Sequence, residues 1–289
     1  MAPREFARSD ASSTPSMAVV EPAAEPAITP SVSRKPWDGS YGFLFQQLIL
    51  KDFRIRYRNM SLGVMWSLLN PLVMMSVMTF IFGGVVGGGR SRTFPVFLLC
   101  GLVPYNFFTA AWITGTTSII DSAPLVKRVP VPRQVLPIAA VLSNAVHLLI
   151  QIGLLFAMAL IYGYRPNIHW FWLPLIWMLY MVFVCGLSLA TSAINVFIRD
   201  TRYVIESFTV VLFWLVPIFY SFTIIPAKYA EIYKFNPVAA LVMAMRDIML
   251  EGTAPPMSLI RNLTLVAIVS ITAGWYVFAW LKPRFYEHI

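Results

Sequence analysis

Six long apolar runs, at about 62–86, 94–120, 135–162, 170–197, 203–222 and 259–281, leave this chain few places to fold except a lipid bilayer. A hydrocarbon core about 30 Å thick is crossed by roughly 20 mostly apolar helical residues, and every run meets that length. The runs are apolar on all sides and do not alternate, which predicts helices and argues against the short half-polar strands of a membrane barrel. Only 12% of the 289 residues are charged, against roughly 25% in soluble domains. The expected fold class is therefore an all-α integral membrane protein with six transmembrane helices over residues 37–289. An N-terminal interfacial helix and short re-entrant helices between the fifth and sixth spans complete it.

Six crossings put both termini on one side, and basic residues choose the side. Lys51, Arg54, Arg56 and Arg58 flank the first run, Lys127, Arg128 and Arg133 lie between the second and third, Arg199 and Arg202 between the fourth and fifth, and Lys282 and Arg284 follow the sixth. The opposite loops hold Arg90, Arg92, Arg165, Lys228, Lys234, Arg246 and Arg261, diluted by Glu231, Asp247 and Glu251. Both termini are expected on the cytoplasmic side. The net charge of +9 follows from this bias and suits anionic lipid headgroups, so nothing calls for nucleic acid. Residues 1–36, rich in Ala, Pro and Ser, bury too little to offset chain entropy and read as a disordered cytoplasmic tail. The tail carries no signal-peptide core, which leaves the first run to direct insertion. Cys100 and Cys185 fall inside runs and read as packed or lipid-facing thiols.

Ahead of the first run, helical spacing over 41–58 sets Gln47, Lys51, Arg54 and Arg58 on one stripe and Tyr41, Leu44, Phe45, Leu48 and Ile49 on the other. Such a helix lies in the interface with its apolar face toward acyl chains and its cations toward headgroups. An ordinary topogenic flank would carry similar charges. The abrupt entry into the membrane at "NMSLG" favours a fixed element that presents a surface to a cytoplasmic partner.

No Lys, Arg, Asp or Glu sits in the middle of any run, and His147 is the sole central ionisable group. Ion-coupled carriers keep carboxylates or paired charges at that depth, so an ion-driven mechanism is disfavoured. His147 reads as an interhelical hydrogen-bonding partner near Asn144 and Ser143. The sequence has no G-x-x-x-x-G-K-[ST], H-E-x-x-H or G-x-S-x-G pattern, and "GGVVGGG" at 83–89 contains no Lys and reads as an exit loop. Uphill transport by this chain would draw its energy from another polypeptide.

Two segments outside the runs are candidates for contact and gating. In 121–137, "DSAPLVKRVPVPRQVLP", Pro124, Pro130, Pro132 and Pro137 leave room for one short helix around Leu125 to Arg128. It suits passing rigid-body motion between subunits, and a merely solvated basic loop is the alternative. Between Ser221 and Pro256 lies an apolar stretch, 237–250, that reaches only about 20 Å. A helix or helix pair dipping into the outer leaflet as a gate and an amphipathic helix flat on the surface are both open.

The ordered motifs "YRNMSLGVMWSLLNPL", "PLVKRVPVPRQVLP", "RDTRYV", "PIFYS" and "FNPVAALVMAMRDIML" resemble the permease subunits of bacterial type-2 ABC exporters of polysaccharides, the O-antigen, capsule and teichoic acid group. The resemblance runs from about Phe43 to the C-terminus. It implies a non-catalytic inner-membrane subunit that binds no cofactor itself, paired with a second copy and with two cytoplasmic ABC ATPases that hold ATP and Mg. Together these move a lipid-linked glycan outward, O-antigen being favoured. By similarity, Ser122, Pro124, Leu125, Val126, Lys127, Arg128 and Arg133 form the main coupling element, with Arg199, Asp200 and Arg202 as a second ATPase contact. Lys51, Arg54, Arg56 and Arg58 form the interfacial helix, where Arg54, Arg56 or Arg58 could meet a pyrophosphate-bearing lipid carrier. Tyr229, Tyr233, Asn236, Pro237, Arg246 and Asp247 belong to the outward gate. The first and fifth spans line the conduit, with Trp66, Phe213, Trp214, Phe219 and Tyr220 offering rings to the apolar faces of sugars. Many weak, similar contacts suit a sliding polymer. A drug or small-molecule exporter permease and an uncoupled channel or scaffold are the competing readings.

Overall fold

The structure, a computed structural model, describes residues 41–57, 65–85, 93–128, 131–226, 228, 233 and 235–287. The expected tail, Arg58, the "NMSLG" turn, Tyr229 and the end of the glycine run lie outside them, as do the side chains of Arg56, Val126, Lys127 and Arg128. The described residues form no strand and belong to one compact unit within Ser40–Ile289. In order they are α1 (Tyr41–Tyr57), α2 (Met65–Met78) running into a π-helical segment (Thr79–Val85), α3 (Phe94–Asp121), α4 (Ala123–Arg128), α5 (Val135–Ile161), α6 (Trp172–Phe197), α7 (Thr201–Leu215), α8 (Pro237–Arg246) and α9 (Met257–Leu281).

The all-helical expectation holds, and five helices are long and apolar enough to cross a membrane: Met65–Gly84, Phe94–Leu125, Val135–Ile161, Ile168–Phe197 and Met257–Phe285. The fifth expected run departs from the sequence reading. It is helical for only 15 residues, about 22 Å, and stops at Leu215. Val216 is extended, with ψ 135°, because the ring of Pro217 clashes with a helical residue before it. The chain beyond it, through Ser221, is irregular.

Helix α3 is the hub, packed by α2, α5, α6, α7 and α8. Nearly three quarters of its apolar window is buried, against 11% for the window on α2. With lipid on the outside, apolarity alone cannot decide which helices touch, so small residues and interhelical hydrogen bonds do. Helices α6 and α9 meet at Gly186 and Gly274, where a Cβ on either would strike the other's backbone. Asn144 of α5 donates to Thr114 Oγ1 of α3 at 2.7 Å, and Asn195 Nδ2 of α6 donates to the Thr116 carbonyl at 3.2 Å. Thr116 and Thr191 share a hydroxyl bond at 2.7 Å, and Ser270 of α9 donates to the Phe183 carbonyl at 2.9 Å. His147, buried on α5, stacks on Phe53 of α1 at 6.1 Å.

Helix α1 corrects one detail of its sequence reading. Its apolar stripe turns to the protein: Leu48 is buried with Ile119, Val135, Leu136 and Phe285, and Leu44 and Phe45 pack on the same cluster. Lys51 and Arg54 are exposed.

Candidate translocation site

The break after α7 is held in place by a buried cation. Asn236 caps α8, its Oδ1 accepting from the N–H groups of Val238 at 3.0 Å and Ala239 at 3.4 Å, and Pro237 takes the first turn, where no N–H is needed. Every residue from Val238 to Arg246 is buried, with α3, α6 and α9 around the helix. Over this stretch the helix is enclosed by protein.

Arg246, counted from sequence among the outer-loop charges, is one of these buried residues. Its Nη2 donates to the Ile218 carbonyl at 2.7 Å and Nη1 to that of Tyr220 at 3.3 Å, and its guanidinium lies 3.4 Å over the Phe97 ring. Irregular backbone in an apolar setting leaves carbonyls unpaired, and the planar fork of Arg supplies two donors at once. Burial lowers its pKa to about 10, so it stays charged at neutral pH. Gly101 of α3 admits the same segment: a Cβ there would stand 3.1 Å from Ile218 Cα. Beyond Arg246 the helix widens into a π-turn (Asp247–Glu251), and Asn167 in the α5–α6 connection donates to its Ile248 carbonyl at 3.0 Å. Burial, then the nearby Glu251 charge, push the Asp247 carboxyl up to about 6.

Aromatic rings gather around the break. Phe213 meets Tyr105 edge-on at 5.2 Å and Trp214 at 5.7 Å; Phe219 lies 5.4 Å from Trp214, 5.3 Å from Tyr220 and stacked at 5.0 Å on Phe82. Four of the five residues expected to line a conduit are therefore one cluster. Trp66 is apart from them, 52% exposed on α2, and no ring contact joins it to the cluster among the described residues. Two cavities adjoin the cluster. One of about 430 Å³ is walled by Phe82, Phe94, Phe97, Phe219, Tyr220 and Ser221; another of about 300 Å³, between α2, α3 and α7, presents Asn70, Asn106, Thr109, Thr209 and the Phe213 ring. Sequence reasoning passed over Asn70, Tyr105 and Asn106. The two asparagines were signalled by an amide set in an apolar run, in "LLNPL" and "PYNFF".

At the opposite end of the bundle, α4 follows α3 directly, the Leu125 N–H bonding back to the Ser122 carbonyl at 2.9 Å, with Pro124 exposed. Arg199 and Asp200 are exposed in the α6–α7 turn and Arg202 in the first turn of α7, where its Nε pairs with Glu206 at 2.7 Å. Arg133 differs from the rest of its expected set because it is buried, its guanidinium 5.7 Å over the Phe285 ring. Phe285, in the C-terminal 3-10 helix (Lys282–Glu287), also packs on Phe197 at 5.9 Å and Phe278 at 5.5 Å. The described residues contain no cluster of three or more metal-ligating His, Cys, Asp or Glu side chains.

Comparison with known proteins decides the family. Residues 43–250, most of the chain, match the profile of the ABC-2 type transporter. The chain belongs to that family. It is similar to the O-antigen export system permease protein RfbA of Klebsiella pneumoniae, 32% identical over 250 residues that cover 85% of this chain and 96% of the relative. A protein of the same name from Myxococcus xanthus is 28% identical over 86% of this chain and 96% of its own. The polysialic acid transport protein KpsM of Escherichia coli is 23% identical over 79% and 90%. The matched profile takes in α1, the α4 loop, the break after α7 and α8, so this ABC-2 chain carries its unusual elements inside the family's own domain.

Proposed function

We propose that this chain is the membrane permease of an ATP-driven exporter that carries a lipid-linked polysaccharide, O-antigen in preference to capsule or teichoic acid, outward across the bacterial inner membrane. The observation that carries the reading is the 32% identity to an O-antigen export permease along 96% of that relative. The physical features agree with it. A polymer sliding past a permease needs many shallow contacts, and the rings at the end of α7 with the amides of Asn70 and Asn106 offer aromatic faces and hydrogen bonds without a deep, closed pocket.

The finer expectations belong to the same proposal. Two copies of the chain pair, and each meets one cytoplasmic ATPase through α4 and the Arg199 to Arg202 turn. That ATPase binds ATP and Mg and supplies the energy. The termini are cytoplasmic. Helix α7 and the irregular chain beyond Pro217 together make the fifth of six crossings, with α8 and its π-turn re-entering from the outer side as the gate. Arg54 and its neighbours on α1 meet the anionic end of the lipid carrier.

Purification of the tagged protein from its host in mild detergent tests this. A stoichiometric ABC ATPase is expected to travel with it, and to be lost when residues 125–128 are replaced by Gly and Ser in a chain that still inserts. Deletion of the gene is expected to leave glycan inside the cell. Unchanged surface glycan on deletion would overturn the substrate class, and absence of any ATPase would overturn energy coupling.

A further inference from the structure

Helices α5 and α6 both seat on α3, and between them they leave a groove of about 490 Å³, inside the roughly 300–1,000 Å³ that small-molecule sites occupy. Leu148, Ile152 and Phe156 of α5 form one wall. Trp177 and Met181 of α6, with Trp170 in the 3-10 turn before it (Ile168–Phe171), form the other. Among the described residues that line it none is charged. Phe107 of α3 stands behind Trp177, edge-on at 6.2 Å, and Phe156 meets Trp170 at 4.7 Å at the end nearest the α5–α6 connection.

Shape and orientation narrow the occupant. At 1.5 Å per residue the α5 wall from Ala145 to Phe156 is about 16 Å long, and so is the facing wall from Trp170 to Met181. That is close to half of a hydrocarbon core about 30 Å thick. Both helices are long and apolar enough to cross the membrane, so the groove runs lengthwise through one leaflet. Its open side continues into the lipid-facing surface: Leu149, in the wall, is 68% exposed, and Leu160, Phe171 and Met178 are exposed around it. An apolar slot of this kind stays dry, and left empty it forfeits the dispersion contacts of its lining.

Two donors narrow the chemistry further. The indole N–H groups of Trp170 and Trp177 are buried and have no hydrogen-bond partner among the described residues. A buried Trp N–H usually finds an acceptor, and bare hydrocarbon offers none. The half-buried ring of Trp170 lines the groove, so a tilt of the ring presents its N–H at the connection end. An acyl ester carries a carbonyl at the head of its chain, where that donor stands.

We propose that the groove is a selective site for one acyl chain of an ester-linked phospholipid, drawn from the leaflet on the side of the α5–α6 connection. The chain lies along Leu148, Ile152 and Met181, and its ester carbonyl accepts from Trp170 Nε1. A polyprenyl phosphate, with a methyl-branched chain and no ester carbonyl, matches neither the slot nor the donor. The site faces lipid and is separate from the cavity between α2, α3 and α7.

Photo-crosslinking of the full-length protein, with whatever subunits accompany it, tests this in nanodiscs of dialkyl-ether phosphatidylglycerol. Two probes are compared at the same low fraction: phosphatidylglycerol with a diazirine midway along one chain, ester-linked or ether-linked. Peptide mapping reads label at 145–156 and 170–181 against label on the exposed α9 face at Leu265, Ile268 and Val269, where any bilayer lipid makes contact. The groove-to-α9 ratio is expected to be about fivefold higher for the ester probe, the worth of one net hydrogen bond. Trp170→Phe is expected to erase that difference. Ile152→Trp, which fills the slot, should remove groove label from both probes and leave α9 label unchanged. Equal ratios for the two probes on the unaltered protein would overturn the site, a result that needs no variant to fold. Displacement of the ester probe by equimolar polyprenyl phosphate would overturn the acyl assignment, as would a groove crosslinked mainly to a second copy of the chain. Transport is not read, so the outcome is independent of the export assignment.

Discussion

Replacing Arg246 separates its role as a clamp from its role as a charge. Arg246→Met keeps similar volume and removes both donors, so the carbonyls of Ile218 and Tyr220 lose their partners at 2.7 and 3.3 Å. A buried carbonyl left unpaired costs about 1–3 kcal/mol, and a desolvated cation over a ring contributes about 2 kcal/mol more. Against these losses, the variant no longer buries a charge, a relief of several kcal/mol. Interhelical polar contacts in membranes also run at the low end, about 0.6 kcal/mol on average. The net loss expected is about 1–3 kcal/mol, concentrated at the break after α7. Arg246→Lys decides the cause. If the residue served only to bias topology, Lys would be equivalent. If it clamps two carbonyls and stacks flat on Phe97, a Lys ammonium reproduces neither arrangement and the variant behaves like Met. The assays are thermal unfolding of the purified protein in detergent and the amount of surface glycan in cells expressing each variant at matched levels. An Arg246→Lys protein that melts and exports like the parent would refute the clamp.

Three further outcomes follow from the packing. Gly274→Val places side-chain atoms against the α6 backbone at Gly186, and the helices must separate; overpacking costs about 1–3 kcal/mol, so folded yield after detergent extraction should fall, and parental yield would sink the idea. Phe285→Ala should lower ATPase activity of the complex more than membrane insertion, because Phe285 joins Arg133 to the end of α6 at Phe197; parental ATPase activity would contradict it. The folded-state pKa of Asp247 is raised from 3.8 to about 6, so the stability belonging to its neutral form is present in full below about pH 4 and lost as pH rises through 6. Melting temperatures of parent and Asp247→Asn, read from pH 4 to 8, should accordingly converge at the acid end, separate in favour of Asn between about pH 4 and 6 and keep that gap above 6, whereas the same offset at every pH would count against the shift.

Length and charge spacing made most of this fold legible in the sequence. Residues 94–120, 135–162 and 170–197 became α3, α5 and α6 within a few residues, since nothing but a helix satisfies that much backbone in lipid. The fifth run misled because hydropathy does not see Pro217: "FWLVPIFYS" is as apolar after the proline as before it. The proline itself was visible, and its effect on Val216 follows from sterics. Arg246 was misplaced for the opposite reason. A lone Arg beside Asp247 in a connecting segment counts as a loop charge by any tally. Its burial depends on carbonyls 26 and 28 residues away that become available only because the preceding helix breaks. Phe285 carried no signal in the sequence, since an aromatic residue after a span also suits the membrane interface.

Within a single protomer, α2 and α7 expose apolar side chains, as α9 does on its own side. Trp66, Val73 and Val77 of α2 and Tyr203, Val204, Val210 and Trp214 of α7 are each at least 46% exposed, whereas α3 between them is mostly buried. In a bilayer an apolar face needs no cover, so exposure alone does not require a partner. The polar groups beside these faces make the difference. Asn70, Asn106 and Thr109 open into the cavity between α2, α3 and α7, and amides facing lipid would cost more than amides facing water or a hydroxylated polymer. The side of the protomer that joins α2 to α7 therefore suits a wet path better than a lipid contact, and the rings at the end of α7 stand where such a path would leave. Arg246 fixes the broken chain at that end, and Phe285 ties the connections at the other. An ATPase pressing on α4 would act on a bundle whose α3 touches both.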